Sequence, residues 1–309
     1  MIYDVIIIGG GPGGLNAALY AARYGLKPVV FAEQIGGAVA ESVDVQNYLG
    51  FISITGLELT EKFKEHALHY GTDIFYDRVN EVKKEDDKFV AKTMAGKTYE
   101  GRTLLLATGT KHRILGIPGE EKFKGKGVAY CATCEGFFYK NKVVCTVGGG
   151  DSSFTAAIYL AKIAKQVYLI HRGKEDTFRA ENIWLDAAKQ QKNLAIILEN
   201  ELTEIKGDKF VQEIILKNPY QGKNSLAVDG IFVEIGSAPD PTLPKQLGLD
   251  LNERELISTK PDQSTNIPGI YAAGENTTGT NQYNQIVTAS AEGAIAAHSI
   301  SQYLSKNQK

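Results

Sequence analysis

An α/β protein of two units, each built in three layers, is what this sequence predicts. Two observations carry the prediction. The chain opens on a β-branched strand, a glycine-rich turn, an alanine-rich helix and a second strand, and the same succession returns near its middle. Length agrees: 309 residues are long for one compact domain and suggest two. A composition of 43% hydrophobic and 23% charged residues supplies ample core.

The first succession is "YDVIIIGGGPGGLNAALYAARYGLKPVVFAE". Val5 to Ile8 reads as a strand buried on both faces, and a helix follows the glycines as far as Gly25. Gly9, Gly11 and Gly14 form G-x-G-x-x-G: one for the tight turn, one for approach of a pyrophosphate to the backbone, one for close helix-strand packing. The strand "PVVFAE" ends in Glu33, 19 positions after Gly14, where a carboxylate can accept hydrogen bonds from a ribose hydroxyl. Strand, glycines, helix, strand and acid in this order define a Rossmann-like dinucleotide unit.

The second succession is "KVVCTVGGGDSSFTAAIYLAKIAKQVYLIHRG", with a strand at 142–147, Gly148 and Gly150, a helix to Ala164 and a strand to Ile170. Ser153 takes the third small position. No acid closes the last strand; His171 and Arg172 stand there, with Lys174 and Arg179 close behind. A carboxylate would repel a 2′-phosphate, whereas arginines clamp one through charge-assisted hydrogen bonds. The first unit therefore suits an unphosphorylated adenosine ribose and the second suits NADPH. Two unlike dinucleotides in one chain suggest a flavoenzyme, with FAD held first and the nicotinamide visiting second.

Only three cysteines occur, and two form C-x-x-C in "YCATCEGFF". Structural zinc needs four ligands, and the remaining Cys145 lies inside the strand "VVCTV", so no metal is expected. A structural disulfide over so short a loop adds little stability. Redox use of Cys131 and Cys134 is favoured, near a helix N-terminus that lowers a thiol's pKa. Glu135 is read either as a helix first-turn acid or as a proton-transfer group.

A formal net charge of −2 offers no electrostatic reason to expect nucleic acid or an anionic membrane as partner. No apolar run reaches the roughly 20 residues of a membrane-spanning helix, no secretory signal is read, and a reducing cytoplasm is expected.

Over nearly its whole length the chain resembles the low-molecular-weight thioredoxin reductases. The resemblance is carried by "GGGPGG", "ATGT" at 107–110, "YCATCEGFFY", "VGGGDSS", "HRGKEDTFRAE", "IPGIYAAGE" and "QIVTASAEGAIAA". It implies a discontinuous FAD domain (1–115 and 244–309) with the NAD(P)H domain (116–243), carrying the cysteines, inserted between its parts. Hinges would lie near "RILGIPG" and "GSAPDPT". It further implies electron flow from NADPH through FAD and the cysteine pair to thioredoxin or a thioredoxin-like protein, in a homodimer. Cys134 would face the flavin and Cys131 would attack the partner. FAD would be held by the first glycine turn with Pro12 and Gly13, by Glu33, Gly36, Gly37, Asn47, Val82, Thr108, Gly109, Gly274 and Glu275, and by Gln285 and Ile286 at the start of a last helix. NADPH would be held by Gly148, Gly150, Asp151, Ser152, Ser153, His171, Arg172, Lys174, Arg179 and Gly236. Departures from the family pattern include Glu275 and Glu135 for aspartates, Asn284 for a basic residue, and "HRG" for "HRR" with two residues inserted before Arg179. The last motivates an alternative donor, NADH or reduced ferredoxin.

Overall fold

The computed structural model describes residues 2–279 and 283–307 and divides the chain into two units. One comprises Met1–Ala40, Val45–Lys111 and Ala238–Lys309; the other comprises Glu41–Asp44 and His112–Ser237. The chain passes between them after Lys111 and after Ser237, within strands Thr110–His112 and Ser237–Pro239.

The first unit is organised by the strand Ile2–Ile8. Its neighbours Pro28–Phe31 and Thr98–Leu106 run parallel to it on either side, with Asp73–Phe75 and Ile270–Ala272 extending the parallel sheet. Val5 and Ile7 point into a cluster with Ala17, Ala18 and Ala21 of helix Pro12–Arg23 and with Ala296, Ala297 and Ile300 of helix Ile286–Lys306. Ile6 and Ile8 point to the opposite face, onto Val82, Phe89, Leu249 and Ile257. This two-sided burial is why the strand reads as a continuous apolar run. The antiparallel strands Val79–Glu85 and Lys88–Thr93 continue the sheet beyond Thr98–Leu106.

The second unit has a five-stranded parallel sheet in the order Leu194–Ile197, Gln166–Ile170, Val143–Gly148, Gly230–Glu234, Val128–Ala129. Helices Asp151–Ala161 and Asn182–Lys189 contribute to the cluster on one face. The other face is covered by the antiparallel strands Leu202–Gly207, Val211–Tyr220 and Lys223–Ala227, through Leu202, Ile205, Val211, Ile214 and Leu216. Three layers are present as the sequence predicts, and the third is a sheet. Among the described residues no helix is long and apolar enough to cross a membrane.

In the first unit the two helices meet backbone to backbone. A β-carbon on Gly293 would stand 2.0 Å from the carbonyl oxygen of Gly13 and 3.1 Å from the amide nitrogen of Ala17. Helix propensity alone makes Gly→Ala stabilising by about 1 kcal/mol, whereas forcing apart a close-packed contact costs roughly 1–3 kcal/mol or more. Packing wins here. Gly293→Ala is expected to lower the urea midpoint, and a raised midpoint would show that the helices are free to part.

Candidate functional site

In the first unit the register pairs Ile8 with Phe31 and with Leu106, and Leu106 with Ala272. The segments after these strands therefore leave the sheet at one edge, the carboxyl edge where open α/β sheets bind ligands. They are the segments sequence reasoning selected: Gly9–Gly14, Glu33–Gly37, Thr108–Gly109 and Gly274–Glu275. Gly9 must be glycine, since with φ +118° its β-carbon would lie 2.0 Å from the Ala107 carbonyl oxygen. Gly14 carries helix and strand into contact, and a β-carbon added there would lie 2.0 Å from the Gly9 carbonyl oxygen. Pro12 is the first residue of the helix, and Gly13 is buried against the last helix.

Around this edge the side chains are prearranged. Asn47 Nδ2 donates to Gln285 Oε1 (3.0 Å), and Gln285 caps the helix that Ile286 begins. Ile286 packs on Val45, Ile54 and Leu59. Thr110 Oγ1 donates to Glu275 Oε2 (2.8 Å), and the amide of Gly36 donates to the Gly10 carbonyl (2.8 Å). Glu33 stands exposed, 3.8 Å from Arg78.

Two observations test whether a dinucleotide fits. Gly11, the cap of the first helix, has no side-chain capping bond, and a β-carbon there would meet only the Gly36 carbonyl oxygen, at 3.9 Å. The helix amides thus face open space of the kind a pyrophosphate fills. Thr108 Oγ1 is buried with no hydrogen-bond partner among the described residues, a donor left for a ligand. The residues fit the group.

Val82, also expected at the cofactor, is placed in the core. Val82 is buried in the core with Phe89 and Ile6, and its amide donates to Gln246 Oε1 (3.3 Å). Its side chain and its amide are thus engaged within the protein. Sequence reasoning also missed Glu292. Fully buried on the last helix, its Oε2 accepts from the Gly274 amide (2.6 Å) and from Thr277 Oγ1 (3.1 Å). An acid among "TASAEGAIAA" was the available signal.

In the second unit Val147 pairs with Ile170 and Gly148 with Glu234, so Gly148–Gly150, His171 and Gly236 share the carboxyl edge. A β-carbon on Gly148 would stand 2.3 Å from the Glu234 carbonyl oxygen, and Ser153, wholly buried, closes the turn by donating to the Gly150 carbonyl (2.7 Å). Gly150 caps the helix without a side-chain bond and has nothing within 4 Å of a β-carbon position, the same open cradle. Ser152 is exposed on the first helical turn.

His171 is placed differently from the expectation. Its Nδ1 donates to the Gly148 carbonyl (3.1 Å), and its Nε2 lies 2.9 Å from Thr177 Oγ1, whose one hydrogen is within reach of both Nε2 and the Lys174 carbonyl (2.6 Å). Both ring nitrogens are therefore engaged within the protein, and His171 holds the basic loop instead of presenting a nitrogen to a ligand. Burial keeps its pKa below the ordinary value, opposed by the Gly148 bond and reinforced by the charges of Arg172 and Arg179. The loop is fastened at its far end too: the Arg179 amide donates to the Gly149 carbonyl (2.8 Å) and the Glu181 amide to Asp151 Oδ1 (2.8 Å). Two inserted residues are thereby absorbed, and Arg179 still returns to the glycine turn. Arg172, Lys174 and Arg179 are exposed and have no ion-pair partner among the described residues.

Cys131 and Cys134 form a disulfide, with Cys134 the more exposed. The turn follows strand Val128–Ala129 and begins helix Ala132–Glu135, whose cap is Cys131: its Sγ accepts the Cys134 amide at 3.1 Å. Glu135 is partly buried and desolvation raises its pKa. Cys145 is a free, fully buried thiol whose pKa burial pushes up. Among the described residues no cluster could hold a metal ion.

A family model described as pyridine nucleotide-disulphide oxidoreductase matches residues 3–293, and the chain belongs to that family, whose chemistry couples a flavin to a nicotinamide nucleotide. The thioredoxin reductase of Listeria innocua is 38% identical over 306 residues, 98% of this chain and 94% of that one. The crystal structure of Lactococcus lactis thioredoxin reductase matches with a TM-score of 0.91 at 34% identity, covering 98% of this chain and 99% of that one. A Pseudomonas fluorescens protein named glucosaminate ammonia-lyase is 40% identical over 314 residues, 97% of this chain and 95% of that one. Similarity of this order leaves the chemistry to the site, and the site holds a disulfide.

Glu234, beside the glycine turn, is the other group that sequence reasoning missed. Desolvation pushes its carboxyl up to about 8, with His112 pulling down and Glu41 pushing up. A carboxyl raised in the folded state binds more protons there than in the unfolded chain, so its contribution to stability falls as pH rises from about 4.5 to 8. Glu234→Gln abolishes that titration. The variant's melting temperature relative to wild type is expected to climb through this window and level off above it; a difference independent of pH would refute the assignment.

Proposed function

We propose that this protein is a thioredoxin-disulfide reductase that takes electrons from NADPH, through FAD, to the Cys131–Cys134 pair and on to thioredoxin or a thioredoxin-like protein. The observation that carries this reading is the disulfide itself, half-exposed on the unit that also bears the second glycine turn. FAD would lie in the first unit's cradle, with Glu33 toward its ribose, Thr108 supplying its free hydroxyl, and Gly11–Gly14 and Gln285–Ile286 presenting helix N-termini. NADPH would lie across Gly148–Ser153 and Gly236, with Arg172, Lys174 and Arg179 around the 2′-phosphate. Three cations without carboxylate partners among the described residues support NADPH over NADH.

A bound flavin would relay a pair of electrons from the nicotinamide to the disulfide. This chain's residues then govern the thiols. Two electrons break the S–S bond, and the sulfur that retains the Cys134 amide, Cys131 Sγ, is the better stabilised thiolate. As nucleophile it attacks the partner's disulfide, forming a mixed disulfide and releasing one partner thiolate. Attack by Cys134 on Cys131 Sγ restores the internal disulfide and frees the second. Glu135, on the same turn with its pKa raised by burial, is the acid that would hand a proton to a departing thiolate.

We extend the proposal to a homodimer working in the cytoplasm. Leu49 and Ile52 on the first unit are 98% and 96% exposed, surface that a second copy would cover.

Cys131→Ser and Cys134→Ser should each abolish NADPH-dependent reduction of thioredoxin while leaving the purified protein yellow and still bleached anaerobically by NADPH. Undiminished turnover in either variant would end the proposal. The loop clasp gives a separate test. Thr177→Val should weaken binding of 2′,5′-ADP about fivefold, the equivalent of one net hydrogen bond of ~1 kcal/mol, with 5′-ADP unaffected and Thr177→Ser near wild type. Calorimetry that finds both nucleotides weakened alike would assign Thr177 to general folding.

A further inference from the structure

The nucleotide face of the second unit uses the ends of its parallel strands, and the opposite edge, where those strands begin, is basic. Four of the five strand entries carry a lysine within two residues ahead of the strand: Lys126 before Val128, Lys142 before Val143, Lys165 before Gln166 and Lys192 before Leu194. Parallel pairing of all five strands brings these entries to one edge. The fifth entry, at Gly230, follows Asp229, whose carboxylate is occupied by the Val143 amide (2.8 Å).

Two further lysines join them. The Asn141 amide donates to the Ile163 carbonyl (3.1 Å) and the Lys165 amide to the Lys142 carbonyl (2.8 Å), fastening the turn that carries Lys140 to the turn that carries Lys162. Asn193 Nδ2 donates to the carbonyls of Ala161 (2.9 Å) and Ala164 (3.1 Å), bringing Lys192 to the same corner. All six lysines are exposed, and none is in an ion pair among the described residues. Lys142 Nζ lies 5.4 Å from the Tyr139 ring centre, a contact that leaves its charge uncompensated. The Val211 amide donates to the Lys126 carbonyl (3.0 Å), and the turn ahead of Val211 carries Asp208 and Lys209, which cancel.

Gathering like charge along one edge is unfavourable in the free protein and strengthens a field directed at an acidic partner. The edge is also continuous with the redox turn. From exposed Cys134 the chain reaches Lys140 through the turn Gly136–Tyr139, on which Phe137 and Phe138 are 58% and 62% exposed with ring centres 3.9 Å apart. That turn packs on the end of helix Asp151–Ala161, where a β-carbon on Gly136 would meet Tyr159 at 2.9 Å.

We infer that the strand-entry edge bearing Lys126, Lys140, Lys142, Lys162, Lys165 and Lys192 is a docking surface for an acidic protein whose disulfide the Cys131–Cys134 pair reduces. This rests on the disulfide-reductase reading and specifies its substrate: a protein disulfide flanked by carboxylates. The edge steers the partner and takes no part in the bond exchange, so it acts on association and leaves the chemical step alone.

The test uses the full-length holoprotein with Lys142→Glu/Lys165→Glu, and with Lys142→Arg/Lys165→Arg as the charge-keeping control. The substrates are an acidic thioredoxin and the small neutral 2-hydroxyethyl disulfide. At low ionic strength the glutamate variant should lose about tenfold or more in kcat/KM toward the acidic protein, by the usual scale of electrostatic steering. Its salt dependence should flatten, and the small disulfide should be unaffected. The arginine variant should behave as wild type, and calorimetric Kd values for the acidic protein should move in parallel with kcat/KM. Unchanged kcat/KM toward the acidic protein overturns the inference, as does an equal loss on both substrates, which would indicate damage to the redox turn. Wild-type protein that reduces the small disulfide and no acidic protein disulfide overturns the underlying reading itself, a result no lysine variant is needed to see.

Discussion

The close approach of backbone to backbone at the carboxyl edge of each parallel sheet is the constraint on which both cradles depend. In the first unit no β-carbon can stand on Gly9, because the Ala107 carbonyl oxygen would be 2.0 Å from it, and Gly14 faces the Gly9 carbonyl at the same distance. These contacts pull the helix start down onto the sheet, and only then do the amides after Gly11 open outward. The second unit meets the same demand with different residues. Gly148 passes under the Glu234 carbonyl at 2.3 Å, and the third small position is filled by Ser153, whose hydroxyl returns to the Gly150 carbonyl. Serine costs a little room and returns a hydrogen bond, so the turn survives the exchange.

Parallel pairing gives each sheet two unlike edges. Strand ends converge on one side and release their segments as ligand-binding loops, while strand beginnings converge on the other. In the second unit this separates functions that would interfere with one another. The loop of Arg172, Lys174 and Arg179 keeps its charge at the ends of the strands, and the lysines of the strand entries lie a strand's length away. The disulfide belongs to neither edge. It follows the short outer strand Val128–Ala129, from which the chain turns back toward the strand entries through Phe137 and Phe138.

Glycine turns and the cysteine pair were legible in the sequence because each imposes a residue type at a fixed spacing, and the α/β class with its parallel sheets followed from the turns. What escaped had its cause in contacts between distant segments. Nothing around Glu292 indicates that its carboxylate will hold the Gly274 amide 18 positions earlier. His171 looked like a ligand contact because it begins a basic segment, yet its neighbours in space, Gly148 and Thr177, use both of its nitrogens. Val82 is the opposite case: strand alternation already marks its side chain as inward-facing, and the core takes it. The antiparallel third layer of the second unit was equally hidden, since short amphipathic strands such as "LTEIKG" and "VQEIILKNPY" declare a half-buried sheet without saying what they cover.

The redox turn is asymmetric before any partner arrives. Cys131 Sγ caps helix Ala132–Glu135 and accepts the Cys134 amide, whereas Cys134 stands one helical turn further on and has no equivalent donor among the described residues. Negative charge left by reduction would therefore be best held on Cys131, the less exposed of the two residues. Glu135 stands on the same turn with a pKa raised by desolvation alone.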